Sequence, residues 1–313
     1  MVYTFKNLRD QVLRIVDELD ETTTEALVKE LMNQAHQARC LERKWNFMLH
    51  PREVTLTTVA NQRLYTLHQE FGRPMYFYNA TTNEYLQEVG KEAIQENPTS
   101  LYADAVQNSV KQFAFIGETP FKDQPSTAST VSIVSNSASD TTAYQVVVKG
   151  ENANGEVFAE IVEMTGTTPV VTTGTFTFLT AISKNQAFNG TITVTCDSKT
   201  VLTLLPWEMG RTYRQIMFLE NPTGNETIKY RFYHQPLVLI NDYDIPDIPG
   251  PYAQILVWDT LLLLSTYLTN VEPQKLEMWK NMAMTWELNL HSHEMHGQSI
   301  GNLPTFFKDL RGE

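Results

Sequence analysis

Cysteine is almost missing from this chain: its 313 residues contain two, Cys40 and Cys196. Two distant thiols build neither a disulfide framework nor a zinc site made of cysteine pairs. Positive charge is also in deficit, with 24 Lys and Arg against 36 Asp and Glu and a formal net charge of −12. A sequence-specific DNA reader needs a basic face to neutralise phosphates, so that class is disfavoured. Long apolar runs are absent too. The longest, Ile255 to Leu268, is interrupted by Asp259 and falls short of the about 20 residues of a membrane span. The start, MVYTFKNLRDQ, has no basic segment leading into an apolar one, so no signal peptide is expected. Neither G-x-x-x-x-G-K-[ST] nor G-x-G-x-x-G occurs, which leaves a nucleotide site without support. What remains is a globular balance, 42% hydrophobic and 19% charged, with length for about two domains.

The first 50 residues read as two helices. Phe5, Leu8, Val12, Ile15 and Leu19 recur at three- and four-residue steps, one apolar stripe. Thr22-Thr23-Thr24-Glu25 has the spacing of a capping box and opens the second helix, which Pro51 stops. From Arg52 the period falls to two. Val54–Thr57 and Leu64–Leu67 read as a hairpin around Ala60-Asn61-Gln62. Met75–Tyr78 and Gln112–Ile116 are further strands. Between about Asp123 and about Thr203 the chain turns Thr- and Ser-rich, with no Trp or Arg. Short alternating runs separated by Gly-containing turns predict about seven strands, an immunoglobulin-like sandwich by pattern, without the Cys…Trp…Cys core of antibody domains.

After Pro206 come strands Tyr213–Phe218 and Thr227–Tyr233, then a proline-bounded loop, Asp242 to Pro249. Pro251 suits the first turn of a third helix, apolar nearly all round through Leu264. Pro273 opens a fourth helix with Leu276, Trp279, Met282, Trp286, Leu290 and His293 in its stripe. The expected fold class is therefore α+β: a helical domain with a small antiparallel β-sheet, interrupted by an all-β immunoglobulin-like sandwich. The expected divisions are 1–122 and 204–298 for the two halves of the outer domain, 123–203 for the sandwich, and 299–313 for an extended arm bearing Phe306-Phe307.

Catalytic and metal patterns are weak. His291-Ser292-His293-Glu294-Met295-His296 gives H-E-x-H, one residue short of the H-E-x-x-H that puts two histidines on one helix face. Asp242, Asp244 and Asp247 lack the spacing and glycine of a calcium loop, and the prolines among them point to turn and capping carboxylates. Cys40 reads as a core or interface residue. No catalytic residue, cofactor or metal is expected, and the chain is read as not an enzyme.

Three stretches carry a resemblance. One is the helical pair ending in Trp45-Asn46-Phe47-Met48-Leu49, followed by Thr58 to Leu67 in a T-x-x-G-x-x-x-Y-x-L pattern with Asn61 at the glycine position. The second is Tyr230-Arg231-Phe232-Tyr233-His234-Gln235-Pro236-Leu237-Val238-Leu239, and the third is Asn241 to Pro249 with the apolar helix after it. In this order they resemble the head-to-tail adaptor (connector) proteins of short-tailed, podovirus-type bacteriophages, over roughly the first 120 and last 110 residues. The resemblance implies a virion structural protein, made in the host cytoplasm. It implies a ring of about twelve copies at the portal vertex, between capsid and tail. Its partners would be other copies of itself, the portal protein and the tail or nozzle protein, and genome DNA would pass through its centre without sequence-specific binding. No membrane is involved. An acidic lumen suits such a conduit because it repels phosphates.

The bottom-up expectation for ring assembly is the third helix and its neighbour, through Trp258, Leu261, Leu264, Trp279 and Trp286, since an all-apolar helix must be covered by something. For portal docking the candidates are the basic Arg39 and Arg43 and the arm residues Leu303, Phe306 and Phe307. Two rivals stand beside this reading. One is a tail- or surface-associated protein whose immunoglobulin-like domain recognises a host surface glycan. The other is a metal hydrolase using the C-terminal histidines.

Overall fold

Helix α1 (Phe5–Asp17) opens with a reciprocal cap: the Thr4 amide donates to Asn7 Oδ1 at 3.1 Å and the Asn7 amide donates to Thr4 Oγ1 at 3.3 Å. Phe5, Leu8, Val12 and Val16 form its buried stripe. Helix α2 (Glu25–Glu42) starts at Thr24, whose hydroxyl accepts from the Leu27 amide at 3.3 Å. The cap is thus Thr24, while Thr22 of the expected box lies outside the described residues. The computed structural model describes residues 3–17, 24–95, 108–268 and 271–296. The arm, with Leu303, Phe306 and Phe307, and also Leu19 lie outside that set.

After a 3-10 turn at Gly250–Gln254 come α4 (Ile255–Leu264) and α5 (Pro273–His296); the short helix α3 (Lys91–Gln95) belongs to the strand-rich part. Helices α1, α2, α4 and α5 share one core with Trp45, Met48, Leu239 and Ile248. Here the expectation for α4 is corrected. Ile255, Leu256, Val257, Thr260, Leu261 and Leu264 are buried within the single chain, because α1, α2 and α5 surround the helix. Leu261, Leu264 and Trp279 are at most 1% exposed and have no surface left for a ring contact. Trp258 and Trp286 are half-buried against the same core. A helix apolar nearly all round needs cover on several sides, and its own fold supplies it except at Leu263, which stays exposed.

The strands are β1 (Val54–Thr57), β2 (Leu64–Thr66), β3 (Phe71–Asn79), β4 (Glu84–Tyr85), β5 (Gln87–Glu88), β6 (Gln112–Thr119), β7 (Val131–Ser135), β8 (Gln145–Glu151), β9 (Val157–Glu163), β10 (Val170–Val171), β11 (Phe178–Lys184), β12 (Ile192–Cys196), β13 (Lys199–Leu204), β14 (Tyr213–Phe218) and β15 (Thr227–His234). Two four-stranded sheets, β1-β15-β3-β4 and β2-β14-β6-β5, enclose an aromatic core of Phe71, Phe77, Phe113, Phe218, Tyr230 and Phe232. The predicted hairpin does not form: β1 pairs with β15 and β2 with β14. Buried Thr58 diverts the chain. Its amide donates to Glu226 O at 2.9 Å and its hydroxyl to Gly224 O at 2.6 Å, while the Glu226 amide donates back to that hydroxyl at 2.8 Å. Asn61 takes φ +65°, a left-handed conformation that Asn tolerates as Gly does.

Strands β7 to β13 form two sheets, β10-β7-β12-β13 and β11-β8-β9, over one core that includes Val131, Val148, Phe176, Val194 and Leu202. In immunoglobulin constant domains the first, second, fourth and fifth strands share a sheet. Here the first, fourth, sixth and seventh do. The sandwich edges are blunted: Gln124 exchanges two hydrogen bonds with the Leu179 backbone (2.9 and 3.0 Å), and Glu160 accepts from the amides of Thr173 and Gly174 (2.7 and 2.9 Å).

The chain is thus mixed α+β with several antiparallel sheets. It divides into two compact units, 1–51 with 233–313 and 52–232. The second unit holds both the outer strands, with their own aromatic core, and the sandwich. Among the described residues no helix is long and apolar enough to cross a membrane.

Candidate functional site: a braced apolar loop

Between β15 and the 3-10 turn at Gly250–Gln254 the helical unit carries a loop with no helix or strand of its own. Nearly every polar group around it is used to fix its backbone. The Asp244 carboxylate accepts from the amides of Ile240 and Asn241 at 2.7 and 2.8 Å. Asp247 Oδ2 accepts from the Leu237 amide at 2.9 Å. Asn33 on α2 grips Leu239 from both sides, accepting from its amide at 2.7 Å and donating to its carbonyl at 2.8 Å. The first turn of α1 supplies two otherwise orphaned donors: Phe5 N reaches Asp244 O at 2.8 Å and Lys6 N reaches Asp242 O at 3.1 Å. Arg9, itself buried, holds Asp242 Oδ1 at 2.6 Å and Glu25 Oε1 at 2.8 Å.

Buried His36 is the central fastener. Its Nδ1 lies 3.2 Å from Leu237 O, and its Nε2 accepts from the Asp247 amide at 3.1 Å. That pair of bonds defines one neutral tautomer, with the proton on Nδ1. Burial holds the proton affinity of the ring below its ordinary value, against the opposing pull of Asp247.

The side chains this backbone presents are apolar and outward. Leu237, Val238, Ile240, Tyr243 and Ile245 are all exposed, Tyr243 by 85%. A single exposed leucine is ordinary; five large apolar residues in nine, on a backbone held by so many bonds, are not. The arrangement is one in which the ordering cost of a contact is already met in the free chain. Leu239 and Ile248 point inward as its anchors.

Two groups of metal-type ligands occur in this unit, and both are engaged. In His36, Cys40 and Asp247 both ring nitrogens are bonded and burial pushes the Cys40 thiol up, keeping it protonated. In Glu42, Glu287 and His291 the Arg39 guanidinium lies 2.9 Å from Glu287 Oε2 and 3.4 Å from Glu42 Oε2. No ligand set is open in either.

Two of the basic residues of the N-terminal third, Arg39 and Arg63, are turned inward, while Arg43, Lys44, Arg52 and Arg73 are exposed. Arg39 makes a two-point contact with Asp259, and Arg63 donates to the carbonyls of Phe218 and Leu219, both at 2.9 Å. Of the docking candidates among the described residues, only Arg43 is substantially exposed, and it stacks on Trp45 at 4.9 Å. The apolar positions of the loop follow no period, so periodicity does not mark them as a surface. The legible signal was their alternation with Asp, Asn and Pro, residues that fix backbones.

No protein-family model matches this chain, and none of the curated proteins matches it.

Proposed function

We propose that this chain is a subunit of a head-to-tail adaptor ring of a short-tailed phage, a non-enzymatic virion protein joining the portal to the tail or nozzle. The braced loop carries the reading. Leu237, Val238, Ile240, Tyr243 and Ile245 form a pre-ordered apolar surface of the kind a repeated heterologous contact buries. The second and third of the stretches that resemble the adaptor family meet in this loop. On this reading the helical unit is the body of the adaptor, and the sandwich is an immunoglobulin-like decoration outside the ring. The excess of acidic residues suits a lumen through which DNA slides.

The test is the mass and symmetry of the purified chain, alone and mixed with a portal ring, by native mass spectrometry and electron microscopy. A closed collar on the portal is expected, weakened by Tyr243→Asp at unchanged melting temperature. A chain that stays monomeric in the mixture, or that lies elsewhere than the portal vertex in the native particle, sinks the proposal.

A further inference from the structure

The sheet β1-β15-β3-β4 has one face in the aromatic core and one outside. Register decides which side chains share the outer face. Thr55 opposes Lys229 and Tyr78 opposes Tyr85, while Phe77, Ile228, Tyr230 and Phe232 are core. By alternation Tyr76, Tyr78, Lys229 and Arg231 therefore point outward. Strand order then sets a column of cations on β15 beside a column of tyrosines on β3, with Tyr85 of β4 beyond, at the about 4.8 Å spacing of neighbouring strands.

The polar groups are linked. The Tyr76 hydroxyl donates to Glu53 Oε1 at 2.6 Å, and Lys229 Nζ lies 3.5 Å from the other oxygen of that carboxylate. The bond to Glu53 pushes the Tyr76 hydroxyl up to about 12, so it stays protonated and donating. Tyr78 donates to Asn83 Oδ1. Tyr85 is 71% exposed; its ring meets Tyr76 edge-on at 5.9 Å and lies 5.2 Å from Tyr78.

We infer that this face binds an uncharged oligosaccharide, a role independent of the assembly reading. Tyrosine offers an apolar ring face with a polar rim, which matches the C–H face and hydroxyl edge of a pyranose. Beside the rings stand the ammonium of Lys229, a donor, and the carboxylate of Glu53, an acceptor. Together they suit a ligand whose hydroxyls donate and accept at once. A polyanion fits less well: Glu53 sits inside the cation column, and the chain carries −12 overall. In the sandwich, the hydroxyl-rich hollow bordered by Ser129, Thr130, Ser132 and Thr195 has no aromatic side chain in its lining.

The experiment is a microarray of bacterial surface oligosaccharides probed with the full chain, with oligothymidylate and duplex DNA on the same slide. Titration of the oligosaccharide that binds, into wild type, Tyr85→Ala and Tyr85→Phe, follows. Expected is binding to neutral sugars, weakened about tenfold or more by Tyr85→Ala and retained by Tyr85→Phe, at unchanged circular dichroism and melting temperature. No sugar binding, sugar binding indifferent to Tyr85→Ala and to Tyr76→Ala, or tyrosine-dependent binding of oligothymidylate in its place would each overturn the inference.

Discussion

Arg39 on α2 and Asp259 on α4 face each other in a two-point ion pair, with Nε 2.6 Å from Oδ2 and Nη2 2.9 Å from Oδ1. The pair explains the one charge in the apolar run that forms α4. Asp259 lies where the helix meets α2, and a planar guanidinium satisfies both of its oxygens. Asp259 and the neighbouring Glu287 raise the guanidinium above its ordinary proton affinity.

Arg39→Ala strands the Asp259 carboxylate and is expected to cost about 2–4 kcal/mol in urea unfolding. Arg39→Lys recovers only part, having lost the second bond. A double-mutant cycle with Asp259→Asn measures the coupling between them.

Leu261→Ala opens a cavity inside one chain. It is expected to cost about 2–5 kcal/mol of unfolding free energy and to leave self-association unchanged in sedimentation at temperatures where the variant is folded. Tyr243→Asp is expected to do the reverse. The two results together separate core from contact surface.

Asp244→Ala frees the amides of Ile240 and Asn241. Stability should fall by about 1–3 kcal/mol, and portal assembly should weaken although no exposed apolar residue is altered. Hydrogen exchange at Ile240 and Asn241 reads the loss of bracing directly.

His36 gives the helical unit a pH dependence. Its folded proton affinity is depressed by burial from an ordinary 6.5. Below that pH the unfolded chain takes up a proton the folded chain refuses, so stability drops as pH falls from 6.5 toward the folded value. Urea midpoints measured from about pH 5 to 7 should show a slope that His36→Gln flattens.

Lys184 acts at the other end of the scale. Burial pushes its ammonium from 10.5 down to about 8, although it donates to the carbonyls of Leu205 and Pro206, both at 2.7 Å. Between those values the unfolded chain holds the extra proton, so stability climbs with pH and the gain vanishes on returning to pH 8. Lys184→Met should abolish that climb, read from about pH 8 to 9.5, below the range in which tyrosines ionise.

Element type was legible along most of the chain because periodicity reports which face is buried. The stripe at Phe5, Leu8 and Val12, the alternation in Tyr144 to Val148, and the start of α5 at Pro273 all reappear as elements, whereas Pro251 opens a 3-10 turn and α4 begins four residues later at Ile255. Partners were less legible. Val54–Thr57 and Leu64–Thr66 alternate correctly, yet nothing local reveals that Thr58 binds the turn at Gly224 and sends them to different sheets. The buried state of α4 was also readable, but not what buries it, since period alone does not distinguish cover by the same chain from cover by another. In Met75-Tyr76-Phe77-Tyr78 both alternating sets are apolar or aromatic, so the outward face of β3 could be assigned only from register.

Leu49 and Tyr233 form an antiparallel bridge, and Val54 pairs with Tyr230 just beyond the division. The strand-rich half therefore leaves and rejoins the helical half through adjacent stems, as a cassette does. Closing the gap between Pro51 and Tyr233 with a few Gly-Ser residues has little distance to cover and small entropic cost. The seam is where another payload can be grafted in place of the insert.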